Sequence, residues 1–189
     1  MLPILVAYGT TEGQSRKVAE FIAERLRIRG HRVDLVDTAG PHVPMLAGAY
    51  RAAIVGGSVH QHRHQRALEH FLKDNRVWLG AMPLALYSVS LAAALDDMDS
   101  RLEARQMLGE FADDCGVKPL TVRCVAGALK YTQYDYLKRQ LMRMIARHSG
   151  RSTDTSHDVE YTDWNDVEAF VDEFLAAAGI ERAVRADAG

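Results

Sequence analysis

Cysteine is scarce: Cys115 and Cys124 are the only two in 189 residues. Two thiols build no disulfide framework and lack metal-ligand spacing, so they read as small core residues in a reducing compartment. Neither stands in an electropositive loop, which argues against a catalytic thiol. No apolar run approaches the roughly 20 residues that a membrane-spanning helix requires, so any membrane contact is expected to be peripheral. The opening Met1-Leu2-Pro3-Ile4-Leu5-Val6-Ala7-Tyr8 has no basic leader and no cleavage site, and reads as a strand rather than a signal peptide. An excess of one charge is missing too. The formal net charge of -2 gives no strong pull on nucleic acid or acidic partners. Repeats and low-complexity tracts are absent. What is present is an apolar share of 48% with 25% charged residues, a globular balance in a chain long enough to bury a core unaided.

Strand-like and helix-like stretches alternate from end to end. Apolar runs at 4–8, 32–36, 52–56, 83–89 and 120–126 predict five strands, the third broken by Gly56-Gly57-Ser58. Helical periodicity predicts helices over 15–29, 65–78 and 100–115, with Gly30 as a C-cap to the first. Residues 38–48, holding two prolines and two glycines, read as a loop or broken turn. A final helix is opened by Thr162 or Asp163, with Val167, Phe170, Val171, Phe174 and Leu175 on one face. The expected organisation is one domain over 1–178 with a basic helical insert at about 130–151, followed by a polar tail over 179–189. Near-continuously apolar strands between helices argue an α/β fold, a parallel sheet covered on both faces. Right-handed crossovers leave 2-1-3-4-5 and 3-2-1-4-5 as the commonest strand orders.

The loop after the first strand, Gly9-Thr10-Thr11-Glu12-Gly13-Gln14-Ser15, chooses between them. It is neither a G-x-G-x-x-G nor a Walker A loop. Thr10, Thr11 and Ser15 offer hydroxyl donors where the first-turn amides of the helix point, an arrangement suited to a terminal phosphate monoester. A capped helix start, from Ser15 or from Thr11 with Gln14, is the alternative. The position at the carboxyl end of the first strand favours phosphate, because open α/β sheets bind ligands there.

The segment Tyr8-Gly9-Thr10-Thr11-Glu12-Gly13-Gln14-Ser15 resembles the flavodoxin phosphate loop, with Glu12 departing from it where many flavodoxins carry a second threonine. Further on, Tyr87-Ser88-Val89-Ser90-Leu91, Ala126-Gly127-Ala128-Leu129-Lys130-Tyr131, Thr153-Asp154-Thr155 and Tyr161-Thr162-Asp163-Trp164 are similar to segments of the bacterial flavodoxin-like protoporphyrinogen IX dehydrogenases. The resemblance implies a flavodoxin-like three-layer sandwich, a five-stranded parallel sheet of order 2-1-3-4-5, with non-covalent FMN. It places the cofactor on Thr10, Thr11, Glu12, Gly13, Gln14 and Ser15, on Ser58, Val59 and His60, and on Ser88, Val89, Ser90 and Leu91, with the Glu12 carboxylate turned away from the phosphate. It implies oxidation of protoporphyrinogen IX to protoporphyrin IX with electrons passed to menaquinone or ubiquinone. No catalytic acid or base can be named. A flavodoxin-type electron carrier and a general NAD(P)H:quinone reductase are the rival readings.

Flavodoxins usually sandwich the ring between a tryptophan and a tyrosine, and neither occurs after the third or the fourth strand here. Val59, His60 and Leu91 stand there instead, which leaves one ring face open for a flat substrate. His60-x-His62-x-His64 invites a metal reading, outweighed by a solvated loop whose imidazoles and Arg63 form a mildly cationic rim. The insert carries Lys130, Lys138, Arg139, Arg143, Arg147 and Arg151 against one acid, Asp135. Arg139, Arg143 and Arg147 recur at four-residue spacing opposite an apolar face, with Tyr131, Tyr134 and Tyr136 at the entry. That pattern fits a peripheral contact with an anionic membrane surface, or pairing of Lys130, Tyr131 and the arginines with porphyrin propionates. An ordinary solvated helix is the plain alternative. The expected location is the cytoplasm, at the inner face of the cell membrane.

Overall fold

Every residue of Ile4–Gly9 is buried, because this strand is covered on both faces. A computed structural model of the chain describes residues 1–40, 48–60, 63–94, 98–129 and 159–181. The elements are β1 (Ile4–Gly9), α1 (Gln14–Ile28), β2 (Val33–Asp37), β3 (Ala52–His60), β4 (Arg63–His64), α2 (Arg66–Leu79), β5 (Leu84–Ser90), a 3-10 turn at Ala92–Ala94, α3 (Met98–Cys115), β6 (Thr121–Ala126), β7 (Ala128–Leu129), β8 (Val159–Glu160) and α4 (Trp164–Ala177).

The long strands run parallel in the order β2-β1-β3-β5-β6, with the two-residue β4 folded back antiparallel on β3. Without β4 this is the expected 2-1-3-4-5 order. Alternation along β1 sends Ile4, Val6 and Tyr8 toward α1 and α4, where Val18, Ile22, Leu26, Phe170 and Phe174 close one core. Leu5 and Ala7 face α2 and α3 with Leu68, Leu72, Leu79 and Leu108. Each fully buried Leu, Ile or Phe contributes about 1.5–3 kcal/mol. The buried Arg29 at the end of α1 ties that helix to α4, gripping both Asp172 carboxylate oxygens at 2.7 Å and Glu168 at 3.1 Å.

Two local readings of the sequence need correction. The glycines Gly56 and Gly57 do not break β3, which runs on to His60. A Cβ on Gly56 would lie 2.3 Å from the Tyr87 carbonyl oxygen and 2.4 Å from its ring, so glycine is needed for close approach, not for a turn. At α1, no side chain caps the helix. Gly13 holds the N-cap position at φ 91°, and the Thr10 hydroxyl accepts from the Gly13 amide at 2.9 Å. At the last helix Asp163 is the cap, its carboxylate accepting from the amides of Asn165 and Asp166. Cys115 is buried and Cys124 half-buried, both free, and burial pushes the Cys115 thiol up to about 11.

Candidate functional site

Register brings the strand ends level. Gly9 pairs with Gly57, Ser58 with Val89, and Ser90 with Ala126, so the segments that follow meet at one edge of the sheet. The strand order reverses between β1 and β3, and a crevice opens at such a switch point. A pocket there is lined by Thr10, Glu12, Gln14, Ser15, Ser58, Val59, His60, Val89, Ser90, Leu91, Gly127 and Ala128.

Most of the residues expected to hold the cofactor therefore meet in one cavity; Thr11, Gly13 and Ser88 do not line it. The Thr11 hydroxyl accepts instead from the Gln65 side-chain amide at the start of α2. Gly13 shapes the turn. Ser88 is 2% exposed and pairs with Gly57 and Cys124, two residues short of the strand end. Gly127 and Ala128 are additions that sequence reading missed. Neither carries side-chain chemistry, and their position just past β6 was the available signal.

The polar atoms of this pocket fit FMN. Ser15 Oγ, Ser58 Oγ and His60 Nε2 are buried without a hydrogen-bond partner among the described residues. A buried polar atom left unpaired costs about 1–3 kcal/mol, which a phosphate or a heteroaromatic ring would offset. No side chain competes for the first-turn amides of α1, which suits an anion. No Lys or Arg is among the described lining residues, so amides and hydroxyls would carry the phosphate. The cavity also has an apolar part, Val59, Val89, Leu91 and Ala128, suited to a ring, and no described Phe, Tyr or Trp lines it.

A hydrogen-bond clasp crosses the site. Gln14 donates from Nε2 to the Thr162 hydroxyl at 2.9 Å, and Thr162 donates to the Ala126 carbonyl at 2.7 Å. Lys17 meets Glu160 at 3.1 Å, and the Phe21 and Trp164 rings lie 4.8 Å apart. Together these fasten the start of α1 to the paired β7 and β8.

His60 and His64 lie on opposite faces of the β3–β4 ribbon, because His60 pairs with Arg63 and His64 with Val59. His62 lies outside the described residues. His64 stacks flat on Phe111, centroids 3.8 Å apart, and burial drives its pKa down to about 4. It is neutral near pH 7 and adds nothing to the cationic rim expected of this loop. No group of three metal-ligating side chains occurs among the described residues. Lys130, Tyr131, Arg139, Arg143 and Arg147 also lie outside the described residues. No helix of the described residues is long and apolar enough to cross a membrane.

A doubly wound sheet with a hydroxyl-lined crevice past β1, β3 and β5 defines a flavodoxin-like FMN fold. The chain belongs to the flavodoxin-domain family, whose model matches residues 5–156. FMN is its cofactor and it is an oxidoreductase. Among similar proteins, protoporphyrinogen IX dehydrogenase (quinone) of Escherichia coli strain K12 is 29% identical over 169 residues, covering 89% of this chain and 92% of that one. The Leishmania major protein of the same name is 30% identical over 173 residues, 91% of this chain and 74% of its own. A mutant flavodoxin from Pseudomonas aeruginosa shares the fold with TM-score 0.55 at 14% identity, covering 94% of this chain and 99% of that one. A Streptococcus flavodoxin gives 0.53 at 12%, covering 92% and 97%.

Proposed function

We propose that the protein oxidises protoporphyrinogen IX to protoporphyrin IX and passes the electrons to menaquinone or ubiquinone. The observation that carries this reading is the pocket at the strand ends, polar at the α1 end and free of described Phe, Tyr or Trp where a flavin ring would lie. The names of the relatives support the substrate and the acceptor. Ser15, with the amides of α1, would hold the phosphate, and Ser58 and Ser90 would bond along the cofactor. Val59 and Leu91 would border the ring while leaving a face for a flat tetrapyrrole. Bound FMN supplies two-electron acceptance and release. The protein's part is to position the ring and keep water from its edges. The basic residues Lys130, Arg139, Arg143 and Arg147, with Tyr131, would bring this site to an anionic membrane surface or bind the substrate's propionates. A cytoplasmic protein held at the inner face of the cell membrane follows from that role, as does one domain over 1–178 bearing the insert.

The test supplies the FMN-loaded protein with protoporphyrinogen IX and a menaquinone analogue. Porphyrin fluorescence should grow well above the autoxidation control and depend on the quinone. Fluorescence no faster than the control, with ready electron uptake from a ferredoxin reductase, would establish an electron carrier instead.

A further inference from the structure

His60 stands apart from the phosphate end of the pocket. It ends β3, two residues past Ser58, and shares the wall with Val59, Leu91 and Ala128. Its backbone is fixed by pairing with Arg63, while Val59 pairs with His64, whose ring is pinned on Phe111. Its Nε2 is shut off from solvent and has no hydrogen-bond partner among the described residues. The phosphate already has hydroxyls and α1 amides at the other end. The ring end, by contrast, has few polar side-chain groups and, among the described lining residues, no Lys or Arg.

We propose that His60 Nε2 donates a hydrogen bond to a heteroatom of the FMN ring and binds the reduced ring more tightly than the oxidised one. The proposal rests on the placement of FMN in this pocket. Reduction adds electron density to the ring heteroatoms, and a hydrogen bond to an acceptor gaining negative charge strengthens. In a pocket whose described charged side chain is Glu12, such a donor offsets the cost of that added density. A potential raised in this way suits a flavin that takes electron pairs from a substrate. His60 thus acts as a ring-binding group that sets how readily the cofactor is reduced.

The test measures the FMN reduction potential and the affinity for oxidised FMN in the parent, His60→Ala and His60→Gln. His60→Ala should bind oxidised FMN about as tightly as the parent and reduced FMN about tenfold more weakly, a fall of about 30 mV for a two-electron couple. His60→Gln keeps a donor of similar reach and should recover most of the shift. Equal potentials in parent and His60→Ala, or a His60→Gln as defective as His60→Ala, overturn the proposal. Failure of the parent itself to bind FMN would instead remove the pocket assignment on which it rests.

Discussion

Replacing Ser15 by alanine should make the FMN-free protein more stable and the cofactor weaker-bound. Ser15 is fully buried, and its hydroxyl has no hydrogen-bond partner among the described residues. An orphaned buried hydroxyl costs about 1–3 kcal/mol, and alanine removes it with little change of volume. A gain of about 1 kcal/mol raises the melting temperature by roughly 2–4 °C in a chain of this size. With FMN bound, the hydroxyl would donate to a charged phosphate, a bond worth about 1.5–3 kcal/mol. Its loss weakens FMN roughly ten- to a hundredfold. The two effects have opposite signs on apoprotein stability and affinity, which a merely damaging substitution would not produce. Thermal unfolding of stripped protein and a titration following flavin fluorescence quenching measure both. A destabilised apoprotein, or an unchanged dissociation constant, would refute the placement of the phosphate at Ser15.

Three further outcomes follow from the geometry. Glu12→Gln should tighten FMN about tenfold, since two like charges about 5 Å apart in a solvated site repel by about 1 kcal/mol per charge pair. The gain should shrink at high salt; no gain at low salt would place the carboxylate away from the phosphate. Gly56→Ala should cost about 3 kcal/mol or more in urea unfolding, because its methyl meets the Tyr87 carbonyl and ring at 2.3–2.5 Å. Wild-type stability there would show that β3 and β5 can separate. Stability should also fall as pH drops from about 6.5 to 4. Over that range the unfolded chain protonates His64 while the buried native ring, with its pKa lowered to about 4, stays neutral. The loss amounts to about 3 kcal/mol, is complete near pH 4, and should be largely abolished in His64→Phe; an unchanged slope in that variant would refute it.

The strands were legible because burial on both faces makes their sequences apolar throughout. The meeting of the loop after β1 with the ends of β3 and β5 was legible from the strand pattern, and Thr10 and Ser15 line the pocket there. Gly56 and Gly57 were misread because glycine marks a break and a close approach alike, and only the residues packed on them, Tyr87 at Gly56 and Gly9 with Leu68 at Gly57, tell the two apart. Ser88 and Ser90 look equivalent in sequence. Ser88 pairs within the sheet, whereas Ser90 ends the strand and its hydroxyl accepts from the Ala93 amide. β4 escaped notice because Arg63 and His64 carry no strand propensity, and His64 reads as solvated until Phe111 is seen beneath it.

The clasp gives the insert its place in the account. The chain leaves the described fold after Leu129 and re-enters at Val159, and those two residues pair with one another. Ala128, beside that exit, lines the pocket, while Gln14 holds Thr162 and Lys17 holds Glu160 just after the return. Leu129 and Val159, the described residues on either side of 130–158, are thereby tied through β8 to the helix whose N-terminus would face the phosphate. With the phosphate at α1 and the ring by His60 and Leu91, as proposed, Ala128, two residues before the basic segment, borders the same pocket. On that proposal the residues from which the cationic chain departs stand beside the ring that accepts electrons, where a propionate or a lipid surface would meet both.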